Sequence, residues 1–77
     1  MLENLLKIIN NILLTRNKSE LKTINNSTKL RDDIGFDSLD LAELTVNIEA
    51  EYGIDVFEDG IVETVGEIIE KLEKAKK

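Results

Sequence analysis

The strongest constraint on this chain is a helical period that returns three times. Leu2, Leu5, Leu6, Ile9, Ile12 and Leu13 recur at steps of three and four residues, the spacing of one face of an α-helix. Ile8 and Leu14 widen that stripe. With about 100° of rotation per residue, Leu41, Leu44, Thr45, Ile48 and Tyr52 also gather on one side of a helix. Val65, Ile68, Ile69 and Leu72 form a third apolar face.

The first helix is expected over residues 2–15. Residues 16–36 form a long connection with polar clusters at Arg16-Asn17-Lys18-Ser19 and Asn25-Asn26-Ser27-Thr28. A connection of that length must be packed down or functional. Leu21, Ile24, Leu30, Ile34 and Phe36 are its expected anchors, with part of it as a short helical turn. Asp37 is a suitable N-cap for the second helix, and Asp40 adds an acid at the positive helix end. Gly53 stops that helix after Tyr52, and residues 54–57 continue as an extended link. Glu58 to Glu63 are read as a short third helix weakened by Gly60. Thr64-Val65-Gly66-Glu67 is a capping-box pattern opening the last helix, with Lys71, Lys74, Lys76 and Lys77 at its negative end. The expected fold is all-α, a small four-helix bundle with a long first loop and a short third helix, forming one domain over 1–77.

The residue inventory narrows the chemistry. The 77 residues include no Cys, His, Trp or Pro. Nucleophilic triads that need His, Cys-His dyads and zinc sites built from His or Cys are therefore excluded. So are disulfides. A short chain offers little room for a large catalytic cleft. Paired carboxylates such as Asp37 and Asp40 remain, but acids this exposed should lack the perturbed acidities that catalysis uses. Asp32, Asp33, Asp37 and Asp40 lack EF-hand spacing, so no metal site is assigned.

Charge points the same way. The net charge is −6, and thirteen acids but no Lys or Arg fall between Asp32 and Glu70. Nucleic acid and anionic membrane both repel such a surface. The N-terminal run has no basic leader and its apolar residues are broken by Asn and Lys, so neither a signal peptide nor a span is read there. A cytoplasmic monomer is the expectation.

The second helix carries a second, weaker apolar stripe of Leu39, Ala42, Val46 and Ala50 opposite its core face. Glu43, Asn47 and Glu49 flank it, and Asp40 borders the core face near Ser38. Scattered exposed apolar residues are ordinary. The sharper reading is a docking surface made by Leu39, Asp40, Ala42, Glu43, Val46, Asn47 and Glu49. Its acidic rim would speed encounters with basic partners more than it would tighten the complexes.

Ser38 opens this helix between acids. A serine in a first helical turn is by itself unremarkable. Its surroundings, however, resemble the acyl carrier protein family. Asp37-Ser38-Leu39 is similar to the family's attachment motif for 4′-phosphopantetheine, preceded by Asp33-Ile34-Gly35 and followed by Leu41-Ala42-Glu43-Leu44. Glu49-Ala50-Glu51-Tyr52-Gly53-Ile54 and Thr64-Val65-Gly66-Glu67 look like the family's helix end and helix entry. The resemblance covers roughly Leu30 to Leu72.

The resemblance implies that the arm, taken from coenzyme A, is esterified to Ser38, with Asp37 and Leu39 at the attachment site. It implies a carrier and not an enzyme, holding acyl groups as thioesters for fatty acid or related biosynthesis. The implied partners are a phosphopantetheinyl transferase and acyl-transfer and synthase enzymes with basic docking surfaces. The same resemblance implies that an acyl chain folds back between helices, and Thr45, Ile48, Val56, Ile61 and Val65 are candidates for that lining, though a plain core role is the stronger expectation for them. Phe36, Phe57 and Gly60 depart from the family pattern and bear on which synthase is served. A discrete peptidyl, aryl, alanyl or polyketide carrier is one alternative. An unmodified helical adaptor is another.

Overall fold

The structure, a computed structural model, describes residues 2–58, 60 and 62–75. Three helices follow in order: α1 (Leu2–Thr15), α2 (Ser38–Tyr52) and α3 (Val65–Ala75). No strand occurs among the described residues, only an isolated antiparallel bridge between Lys29 and Thr64.

The apolar stripes of the three helices meet in one core. Leu5, Ile9, Ile12 and Leu13 of α1 pack with Leu41, Leu44 and Ile48 of α2 and with Val65, Ile68 and Leu72 of α3. Thr45 and Tyr52 are half-buried at its margin. Burying each of these aliphatic side chains is worth about 1.5–3 kcal/mol, which makes this cluster the main stabilising force.

α1 ends in a left-handed turn. Asn17 has φ 60°. The Lys18 amide donates to Leu13 O at 2.8 Å and the Asn17 amide to Leu14 O at 3.0 Å. This is the Schellman pattern with Asn in the place usually taken by Gly. It leaves Arg16 and Lys18 just past the helix, close to the start of α2.

The long connection is packed down by the expected anchors. Ile24, Leu30, Ile34 and Phe36 are buried and Leu21 is half-buried. The Asn10 side chain pins it to α1 by accepting from the Leu21 amide at 2.8 Å and donating to Leu21 O at 3.0 Å. A turn over residues 30–34 is closed by Asp33 N to Lys29 O at 3.0 Å and Gly35 N to Arg31 O at 3.0 Å. The connection also clasps the start of α3. Leu30 N donates to Glu63 O at 2.8 Å, Val65 N to Thr28 O at 3.0 Å and Gly66 N to Asn26 O at 2.9 Å.

The expected short third helix over 58–63 is corrected. Among the described residues this region holds only a turn over 56–58. Glu58 N bonds back to Asp55 O and Gly60 N to Phe57 O. Gly60 has φ 133°, a conformation outside any right-handed helix. Asp59 and Ile61 lie outside the described residues, as do Lys76 and Lys77. What is shown is a small all-helical fold, with three helices among the described residues.

Candidate functional site

Asp37 sits in extended backbone at φ −102°, ψ −172° and caps α2. Its Oδ1 accepts from the Asp40 amide at 2.9 Å, and Asp40 Oδ2 accepts from the Asp37 amide at 3.1 Å. Each acid thus satisfies a backbone donor that the helix start would leave free. The Asp37 carboxyl is held below the ordinary aspartate range. The chief cause is the Asp40 amide, with further help from the Asp40 side chain and the charge of Arg16, while loss of some hydration works the other way. At the far end, Gly53 closes α2 with φ 72° and an amide bond to Glu49 O.

Ser38 is the first residue of α2 and is exposed. An open groove of about 430 Å³ adjoins it, lined by Arg31, Ser38, Leu41, Ala42, Thr45, Asp55 and Phe57. The serine and its i+3, i+4 and i+7 neighbours supply the helix wall of that groove. Asp55 and Phe57 supply the other wall from the turn that follows α2.

Around the helix from this groove lies the second apolar stripe. Leu39 is 66% exposed and Val46 63%. Ala42, Asn47, Glu49 and Ala50 are exposed, and Glu43 is half-buried. The Asn47 amide folds back to donate to Glu43 O at 2.9 Å. Ala42 belongs to both surfaces.

Asp40 is a correction. It was expected on the docking rim, but it is only 1% exposed. Arg16 Nε lies 3.1 Å from its Oδ1 and Lys18 Nζ 3.7 Å from its Oδ2. Its place on the core-facing border of α2, opposite the end of α1, takes it off the surface. Oδ1 meets no donor in hydrogen-bond geometry, so the Arg16 contact is a close ion pair without a linear bond.

The candidates for the acyl lining also divide. Thr45 lines the groove. Ile48, Val56 and Val65 are 0% exposed and belong to the core. Ile61 lies outside the described residues. Arg31, Leu41, Asp55 and Phe57 line the groove without having been expected there. The spacing of Ser38, Leu41, Ala42 and Thr45 was a local signal for the helix wall. Arg31, Asp55 and Phe57 arrive by tertiary folding and leave none.

The geometry suits the attachment of a charged, flexible group. The Ser38 hydroxyl is open to solvent, a helix N-terminus tolerates a phosphodiester, and the groove gives apolar cover beside it. No helix among the described residues is long and apolar enough to cross a membrane.

Comparison with known proteins agrees with this geometry. Residues 5–72 match the model of the phosphopantetheine attachment site family. An acyl carrier protein of Thermotoga maritima is 40% identical over 53 residues, covering 66% of this chain and 65% of that protein. One from Sinorhizobium fredii is 40% identical over 47 residues, covering 58% and 60%. The matches thus span 60–65% of the length of these relatives. Members of this family use 4′-phosphopantetheine and act as carriers, not catalysts. With a family match running through all three helices and the Asp-Ser-Leu turn, the chain belongs to the acyl carrier protein family.

Proposed function

We propose that Ser38 bears the 4′-phosphopantetheine arm and that the chain carries acyl groups between enzymes of fatty acid or related acyl biosynthesis. The observation that carries this reading is the position of Ser38, exposed at the start of α2 with the apolar groove alongside. The arm supplies the thiol for a thioester, which a chain without cysteine cannot provide. The chain's own residues do the rest. The reciprocal Asp37–Asp40 cap fixes the turn on which the hydroxyl stands. The positive end of α2 tolerates the phosphodiester, while the charge of Asp37 opposes tight retention and so favours a mobile arm.

Leu39, Ala42 and Val46, with Glu43, Asn47 and Glu49 around them, form the docking face for a phosphopantetheinyl transferase and for synthase enzymes. Exposed acids at its rim steer basic partners. The cytoplasm and the monomeric state belong to the same proposal. A more specialised cargo, such as a polyketide, aryl, alanyl or peptidyl group, is favoured by one observation. Arg31 and Asp55 set both signs of charge beside Leu41 and Phe57 in the groove.

The test is incubation of the purified chain with coenzyme A and a phosphopantetheinyl transferase, read by intact mass. A carrier gains the mass of one phosphopantetheinyl group. An adaptor that is never modified gains nothing, and that result ends the proposal.

A further inference from the structure

Asp40 is the buried charged side chain among the described residues, and it stands two residues after Ser38. Both its oxygens are engaged. Oδ1 faces Arg16 Nε at 3.1 Å. Oδ2 faces Lys18 Nζ at 3.7 Å and accepts from the Asp37 amide at 3.1 Å. Lys18 Nζ also donates to Gly35 O at 3.2 Å. The left-handed turn at Asn17 therefore delivers two cations from the end of α1 to both sides of the Asp-Ser-Leu turn. One grips the first turn of α2 through Asp40, and the other ties that carboxylate to the backbone just upstream of Asp37.

A buried carboxylate stripped of its counter-ion is strongly unfavourable. Loss of Arg16 would leave Asp40 with Lys18 alone, 3.7 Å from Oδ2 and shared with Gly35 O, and Oδ1 without a cation would turn outward to water. Rotation would break its bond to the Asp37 amide, and the capping box would open. We propose that Arg16 is a positioning residue for attachment of the arm: acting through Asp40, it holds the Ser38 hydroxyl in the geometry that the transferase engages. This inference rests on the carrier reading of Ser38. In that reaction the Ser38 Oγ–P bond forms and a P–O bond within the pyrophosphate of coenzyme A breaks. The hydroxyl proton passes to the transferase or solvent, and adenosine 3′,5′-bisphosphate leaves.

The alternative role for Arg16 predicts the opposite sign. Arg16 Nη2 lies 4.0 Å from Glu43 Oε1, so it offsets part of the acidic docking rim. If that were all it did, its removal would make the surface more acidic and speed encounter with a basic transferase. Positioning predicts slower loading.

The experiment compares arm transfer from coenzyme A to the apo forms of wild type, Arg16→Ala, Arg16→Lys, Asp40→Asn and the Arg16→Ala/Asp40→Asn double variant. Circular dichroism confirms that each is folded at the assay temperature. Arg16→Ala is expected to lower kcat/KM about ten-fold, mainly through kcat, and to shift the Ser38 amide resonance. Arg16→Lys should restore most of the rate. The double variant should load faster than Arg16→Ala, because a neutral amide needs no counter-ion. Should Arg16→Ala not fold, a fall in kcat for Asp40→Asn with Arg16→Lys near wild type supports the role, and unchanged kcat in Asp40→Asn overturns it. A folded Arg16→Ala that loads as fast as wild type, or faster, overturns this inference alone. A wild-type chain that takes no arm overturns the carrier reading and this inference with it.

Discussion

The carbonyl of Asn26 occupies the space that a side chain on Gly66 would need. A Cβ at Gly66 would lie 2.8 Å from Asn26 O and 3.1 Å from Asn26 Cβ, and the Gly66 amide already donates to that oxygen at 2.9 Å. The long connection is thus locked to the first turn of α3 at backbone distance. Two effects compete in Gly66→Ala. Helix propensity favours alanine by about 0.8–1.0 kcal/mol. A clash with backbone costs about 1–3 kcal/mol and also lengthens the bond. The clash should win, so Gly66→Ala is expected to lower the unfolding free energy in urea. A more stable variant would contradict the close approach.

The cap at Asp37 should show in acid. Its carboxyl titrates below the ordinary aspartate value of 3.8. A depressed folded-state pKa means that the ionised form stabilises the fold above the unfolded value. That contribution is lost as pH falls through the lower folded value. Asp37→Asn keeps a good N-cap but removes the titration, so its stability should flatten across that acidic window. NMR titration of the Asp37 carboxyl checks the direction. A midpoint at or above the ordinary value would remove this account of the cap.

Leu39 and Val46 should separate docking from folding. Both are mostly exposed, so Leu39→Ala and Val46→Ala should each change stability by no more than about 0.5 kcal/mol. Arm loading and acyl transfer should nevertheless slow. Unchanged rates with both partners would mean that this stripe is ordinary surface.

The groove beside Ser38 makes a graded prediction. Each methylene that an acyl load buries there is worth about 0.8 kcal/mol. Unfolding free energy of the acylated chain should therefore rise with acyl length until the space between Leu41, Thr45 and Phe57 is filled. A flat series from acetyl to octanoyl would show that the chain leaves its load in solvent.

Much of this was legible in the residues themselves. The stripe of Leu2 to Leu13 marked α1, Asp37 and Gly53 marked the ends of α2, and the Thr64 motif marked the entry to α3. These signals are local, made by side chains and backbone within one turn. Even there the detail differs, since Glu67 reaches back to the Glu63 amide and not to that of Thr64. The short third helix failed because Gly60 adopts a backbone that no helix shares. Asp40 was misplaced for a different reason. Helical phase put it at the border between core and rim, and only the approach of Arg16 from the end of α1 decides its side. Ile48 is buried in the core while Thr45, on the same face of α2, lines the groove, a distinction that periodicity does not resolve.

The central claim is that one particular hydroxyl is the attachment point. Proteolysis and tandem mass spectrometry of the chain after treatment with coenzyme A and transferase test it most directly, with Ser38→Ala alongside. The account predicts a phosphopantetheinyl group on the peptide containing Ser38, at that residue, and an unmodified but folded Ser38→Ala variant. An arm on any other residue, or an equal mass gain in Ser38→Ala, would contradict it.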